Sequence, residues 1–331
     1  MKCTLCKAAL RLLHKNMYDD RFAYPKYFDI MYCKQCQFAQ TTPPLESREI
    51  PELYEKYYPH SKTNAAQVRN NFTGMNPTQI ADKKGAEGFP IDLLKPSAKL
   101  LDVGAGACYF LYAMKLLGFE TFGLDPDPSA KKIAAELDLE VESAFLEDKP
   151  FPGMSFDVIT ANQVLEHTPD PKAFLNAATE RLSKNGLIVL SFPNLNSWHR
   201  RIFGRFWINW HVPYHINFFT KKSISALAKM SDLEIIDYKT VTPPIWSRMQ
   251  IRSLWKYPKK GEANRIWAAE KAVLESATNH DSAPAKKSLK GHLKNMVWAT
   301  ISLICLPFDY LADKLGRGDS ITVVLRKKTS D

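Results

Sequence analysis

Short apolar runs recur between residues 99 and 242, and segments of helical periodicity fill the gaps between them. Lys99–Val103 reads Lys-Leu-Leu-Asp-Val, ends in Gly104-Ala-Gly106-Ala-Cys108, and is followed by an apolar helical stretch, Tyr109–Leu117. Glu120–Leu124 is the second strand and ends in Asp125; Ser129–Leu137 reads as a helix and Leu139–Glu142 as a third strand. Phe156–Ala161 is the fourth strand. Asp170–Leu182 has helical periodicity, with Pro171 early, where a helix tolerates it. Gly186–Phe192, almost all apolar, suits the centre of a parallel sheet. Lys221–Met230 reads as a helix capped by Thr220; Leu233–Thr242 and Ser320–Arg326 are strands six and seven. The alternation predicts an α/β fold: a Rossmann-like, seven-stranded, mostly parallel sheet with helices on both faces.

Before the last strand the alternation stops. The 77 residues of Pro243–Asp319 are too many for an unstructured loop, so helices are expected there, at Ile266–Ser276 and at His292–Leu315 with an interruption at Pro307. Asp281–Lys290 reads as a polar connector. The longest apolar run, Met296–Phe308, falls short of the roughly 20 residues that span a bilayer. The expected divisions are a zinc-binding module (1–45), a helical linker (46–98), the core (99–242), a helical insertion (243–319), and the final strand and tail (320–331).

The composition, 45% hydrophobic and 24% charged, excludes a disordered or collagenous chain. Met1–Leu10 carries two cysteines, two lysines and no apolar signal core, which predicts a cytoplasmic protein. The net charge of +10 is local. Pro193–Lys222 holds Arg200, Arg201, Arg205, Lys221 and Lys222 with no acid, and Pro243–Asp319 holds 13 basic against 7 acidic residues. The acid-free segment predicts an anionic acceptor. In the insertion, Trp246, Trp255, Tyr257, Trp267 and Trp298 alternate with the basic residues. That mixture allows peripheral contact with the inner membrane face, a cap over the site, or a dimer contact.

Cys3-x-x-Cys6 and Cys33-x-x-Cys36 have the spacing of two knuckles that converge on one structural Zn²⁺, with two disulfides as the alternative. A segment of that size needs such a staple. Tyr18-Asp-Asp-Arg-Phe-Ala-Tyr-Pro25 and Leu53-Tyr-Glu-Lys-Tyr-Tyr-Pro59 are expected to dock the module on the main domain or to touch substrate.

Strand, glycine turn and helix bring backbone N–H groups up to a ligand, and an acid about 20 positions later is placed for ribose hydroxyls. Leu101-Asp-Val-Gly-Ala-Gly, Gly123-Leu-Asp125, Ser155-Phe-Asp-Val-Ile and Val164-Leu-Glu-His167-x-x-Asp-Pro together resemble the motifs of class I S-adenosylmethionine (SAM)-dependent methyltransferases. The resemblance covers Lys99 to Thr242 and the final strand. The knuckles with Asp19-Asp-Arg-Phe-Ala-Tyr24 between them, and Pro213-Tyr-His215-Ile-Asn-Phe-Phe-Thr, are similar to a subgroup associated with bacterial surface-polysaccharide and sugar pathways. The resemblance implies that Asp102, Gly104 and Gly106 hold the methionine part of SAM and that Asp125 binds the ribose. It places Phe145 and Leu146 near the adenine and Asn162 on the pocket wall. Cys108 stands where the family has its third glycine, which would narrow the pocket.

A hydroxyl acceptor needs a base, and histidine titrates in the right range. His215, on the loop after strand five, is the first candidate, His211 the second and His167 the third. Gln163 stands where metal-dependent relatives have an acid, so no catalytic metal is expected. The expected activity is methyl transfer, O-methylation foremost, to an anionic small molecule or glycan of the nucleotide- or lipid-linked sugar type. An RNA-modifying enzyme and a non-catalytic SAM-fold binding protein are the alternatives; Asn162-Gln-Val-Leu, without a base-stacking aromatic, disfavours the first.

Overall fold

A computed structural model of the chain describes residues 1–45, 49–57, 63–255, 259–263, 265 and 289–328. The first three strands, β1 (Leu10–Tyr18), β2 (Tyr27–Cys33) and β3 (Ala39–Thr42), form an antiparallel meander. Helices α1 (Glu49–Glu52), α2 (Ala65–Asn70) and α3 (Pro77–Ala86) lead to the core. Asn64 and Asn76 start α2 and α3 with capping boxes.

The core alternates β4 (Lys99–Val103), α4 (Tyr109–Leu116), β5 (Glu120–Leu124), α5 (Pro128–Glu136), β6 (Glu140–Glu142), β7 (Phe156–Asn162), α6 (Pro171–Arg181) and β8 (Leu182–Pro193). It continues through α7 (Trp198–Phe203), β9 (Asn217–Phe218), α8 (Lys221–Met230) and β10 (Leu233–Val241). Helices α9 (Pro244–Trp255) and α10 (Leu289–Lys314) precede β11 (Ser320–Lys327). The sheet order is β10-β11-β8-β7-β4-β5-β6, and β11 alone runs antiparallel to its neighbours. The chain steps outward from β4 to β6 and then returns to the other side of β4. This puts a topological switch point, and hence a crevice, at the carboxyl end of β4.

Both faces of the sheet are covered. Phe174 and Leu175 of α6 and Ile224 and Leu227 of α8 are buried on one face; Leu111 and Met114 of α4, Ile133 of α5 and Val68 of α2 are buried on the other. The amino-terminal sheet takes its fourth strand, β9, from the core: Ala39 and Gln40 pair with Phe218 and Asn217. The module is therefore not closed within residues 1–45.

The expected break at Pro307 does not occur, because α10 runs through it. The carbonyl that Pro307 leaves without its helical partner belongs to Leu303, on an exposed turn. Expected helix Ile266–Ser276 and connector Asp281–Lys290 fall largely outside the described residues. Buried His199 on α7 ties the insertion down: its Nε2 lies 3.4 Å from Asp309 of α10 and its Nδ1 3.6 Å from Asp319. Burial alone would lower the imidazole pKa, but the two carboxylates outweigh it and raise it. No helix among the described residues is long and apolar enough to cross a membrane.

Candidate active site

The glycine turn follows β4 at the switch point. Gly104 has φ +82°, and a Cβ there would lie 2.5 Å from Val164 Cγ2, so only glycine fits. The N–H of Gly106 donates to Asp125 Oδ2 at 2.7 Å, and the N–H of Asp127 donates to Oδ1 at 2.9 Å. The acid at the end of β5 thus touches the turn after β4. Asp102 is buried and accepts from Thr160 Oγ1 at 2.7 Å; burial raises its carboxyl to about 7.

Cys108 keeps the left-handed backbone of the glycine it replaces, at φ +62°. Its thiol is fully buried between α4 and α5, 3.7 Å from Ala130 O. The expected narrowing of the pocket does not follow, because the side chain turns into the core.

Beyond β6, Phe145 is 60% exposed, whereas Leu146 is 1% exposed and packs in the core. Of this expected adenine pair, only Phe145 presents an apolar surface at the sheet edge. Asn162, at the end of β7, is exposed and accepts from Ser191 Oγ.

The three candidate histidines converge. Ring centroids of His167 and His215 are 4.7 Å apart, and those of His211 and His215 are 4.9 Å apart. His167 Nδ1 donates to Tyr214 O at 2.9 Å, and His215 Nδ1 donates to Asn209 O at 2.8 Å. Each carbonyl can only accept, so a neutral ring keeps its lone pair on Nε2. Burial holds His167 at about 4 and pushes His211 and His215 well below the ordinary imidazole value. His211 and His215 are 6% exposed; His167 is half-buried and is the most open of the three.

Glu166 is fully buried, and neither carboxylate oxygen has a hydrogen-bond partner among the described residues. Burial raises it to about 8, so it is largely protonated near neutrality. Its Oε1 lies 4.0 Å from His215 Nε2. Glu166, His167 and His215 bring one donor atom each within 4.8 Å of one another, a grouping able to hold a cation that the Gln163 argument did not foresee. Val164 touches the glycine turn three residues before His167, which puts the cluster beside the switch-point crevice.

The amino-terminal module completes this side. Asp19 accepts backbone N–H groups from Arg21, Phe22 and Tyr24 and shapes the turn between β1 and β2. That turn lays Phe22 against His211 (5.7 Å) and Tyr214 (5.3 Å). Arg21 donates to Ile208 O at 2.6 Å, and its charge helps keep all three histidines neutral. The Asp19–Tyr24 segment therefore docks and also furnishes the site. Sequence reasoning named the segment but did not assign Arg21 or Phe22 to the histidines, because nothing local links residues about 190 positions apart.

At the far end of the module, Cys3 and Cys36 Sγ are 3.7 Å apart and Cys6 and Cys33 Sγ are 3.4 Å apart. All four sulfurs lie within 4.8 Å of one another and none is disulfide-bonded. A tetrahedron of thiolates about 2.3 Å from a zinc ion has edges of about 3.8 Å, so the residues fit that ion.

The family model of the methyltransferase domain matches residues 77–238. The chain is 31% identical over 231 residues to a ubiquinone biosynthesis O-methyltransferase of Cereibacter sphaeroides, a match covering 63% of this chain and 91% of that one. It is 35% identical over 102 residues to the mitochondrial ubiquinone biosynthesis O-methyltransferase of Schizosaccharomyces pombe, covering 28% and 37% of the two chains. Among solved structures, a SAM-dependent methyltransferase from Archaeoglobus fulgidus aligns with a TM-score of 0.43 and 16% identity, covering 79% of this chain and 99% of that one. The chain belongs to the class I SAM-dependent methyltransferases.

Proposed function

We propose that this enzyme methylates a hydroxyl oxygen of an anionic small molecule, with His167 as the base. The observation that carries the reading is the convergence of His167, His211 and His215 beside the glycine turn, with the most open of the three presenting a free Nε2. The methyl donor is already activated, so the protein has to position the two reactants and take up one proton. His167 Nε2 accepts that proton. His215 stands edge to face with the ring, and protonated Glu166 lies in the same cluster; together they position it. Asp102, Gly104 and Gly106 hold the methionine end of SAM, Asp125 the ribose, and Phe145 and Asn162 the outer wall of the cofactor pocket.

The names of the relatives support oxygen as the methylated atom. They give no support to the nucleotide- or lipid-linked sugar expected from the subgroup resemblance. The anionic character of the acceptor rests instead on Arg200 and Arg201. The four cysteines are read as a structural zinc site that fixes the module, and through it Arg21 and Phe22.

The test is S-adenosylhomocysteine release with labelled SAM and a panel of phosphorylated and carboxylated phenols and alcohols. Acceptor-dependent release with transfer to oxygen supports the reading. Transfer to nitrogen or carbon, or no SAM binding by calorimetry, overturns it.

A further inference from the structure

We infer that the cavity between the cysteine-bearing sheet and the core is a phosphate site, and that it takes a phosphate of the acceptor whose hydroxyl is methylated beside His167. The second half rests on the function proposed above; the first half stands on its own geometry. The cavity has a volume of about 370 Å³ and is lined by Arg200 and Arg201 of α7, Arg317 from the loop before β11, Tyr32 of β2, and Gln37. That volume lies within the roughly 300–1,000 Å³ of small-ligand sites.

The three guanidinium groups are held by neutral acceptors. Arg200 Nε donates to Leu195 O at 2.8 Å, Arg201 donates to Asn196 Oδ1 at 2.9 Å, and Arg317 lies 3.5 Å from Asn196 O. Among the described residues, none of the three has a carboxylate within ion-pair distance. These bonds orient the groups and leave their charge uncompensated. Arg200 is half-buried, and burial and the neighbouring Arg201 both work against its charge.

The field reaches further. His14 is held at about 4, mainly by burial but also by Arg200 and Arg205. Gln37 also borders an open groove lined by Lys221, Lys222 and Lys229. A solvated basic face would hold its cations apart or pair them. Here the three arginines are gathered around one concavity, which concentrates the field on an anion. Guanidinium forks from separate elements suit a tetrahedral phosphate, which accepts several charge-assisted bonds at once. Thr220, on the rim, is five residues after His215, so their Cα atoms are at most about 17 Å apart. The His215 ring is 4.7 Å from that of His167, so one small molecule with a phosphate at one end and its hydroxyl at the other can be asked to bridge the two.

The experiment is calorimetric titration of inorganic pyrophosphate into the full-length protein holding S-adenosylhomocysteine, at about 50 mM salt to limit screening. Arg201→Glu (an exposed side chain), Arg317→Gln and the distant charge control Lys172→Gln are compared with the wild type. Pyrophosphate should bind the wild type and Lys172→Gln alike and bind Arg201→Glu and Arg317→Gln about tenfold or more weakly. S-adenosylhomocysteine affinity should not change in any variant. No pyrophosphate binding, or equal weakening in all three variants, overturns the site. Failure of S-adenosylhomocysteine to bind the wild type sinks the methyl-transfer reading, while the pyrophosphate titration still decides the cavity. Vesicles of phosphatidylglycerol against phosphatidylcholine identify the source. Arg201-dependent binding to the former puts the phosphate on a lipid headgroup, and its absence with pyrophosphate binding intact puts it on a soluble molecule.

Discussion

His167 and His215 stand edge to face, 4.7 Å between centroids and 85° between planes, each anchored through Nδ1 to a backbone carbonyl. The two anchors come from Tyr214 and Asn209. Asn209 is itself held by Asp319, which accepts its Nδ2–H at 2.9 Å. The loop between α7 and β9 thus positions both rings, and Asp319, ahead of the last strand, adds to the hold on His215. Removing the proposed base should separate chemistry from binding. His167→Ala is expected to lower kcat by about 10²-fold or more while SAM affinity stays within about twofold. Single-turnover kinetics and calorimetry check this, and a matching loss of SAM affinity would reassign His167 to cofactor binding.

The glycine turn gives a paired prediction. Gly104→Ala puts a methyl group 2.5 Å from Val164 Cγ2 at a backbone angle that glycine favours. SAM affinity should fall about tenfold or more, because the 164–167 loop must shift. Cys108→Gly restores the family residue at an angle the chain already adopts, and the thiol points into the core. That variant should bind SAM as the wild type does and change stability by about 1 kcal/mol or less.

Metal removal should act at a distance. The purified protein should contain one zinc per chain by elemental analysis. Chelation, or Cys36→Ser, should lower the melting temperature and abolish turnover, since Phe22 and Arg21 reach the histidines from the same sheet. A protein without zinc that melts unchanged in chelator would show that the four thiols hold no structural metal.

Stability should carry the mark of Glu166. Its native value of about 8 lies above the ordinary 4.5, so between the two the native state holds a proton that the unfolded chain has lost. Stability from this group is full below 4.5 and is lost as pH rises to 8. Compared with Glu166→Gln, the wild type should lose stability across that window, by up to about 1.4 kcal/mol per pH unit. Denaturant melts of both proteins between pH 5 and 8 measure the difference; parallel curves would mean that Glu166 is ionised.

The core was legible because each parallel strand is a compact apolar run with a turn signal after it. β4, β5 and α8 fall on or within one residue of the expected bounds. The amino-terminal sheet was not legible. β1 and β2 carry irregular pairing, and β9 is two residues long and gains meaning only beside β3. The histidines were each visible as candidates, but their meeting was not. It depends on the loop from Trp207 to Phe218 folding back under Phe22, and on backbone carbonyls that no side-chain pattern records. Arg317 was visible only as one basic residue in a long insertion. Its place beside Arg200 follows from β11 returning antiparallel to β8.

The most direct measurement is a structure of the protein with S-adenosylhomocysteine bound. Its sulfur should lie at the Gly104–Gly106 turn, its ribose hydroxyls on Asp125, and the methyl-bearing side of the sulfur should open toward Nε2 of His167. A sulfur facing away from the histidine cluster, or His167 Nε2 closed off by another protein group, would contradict His167 as the base.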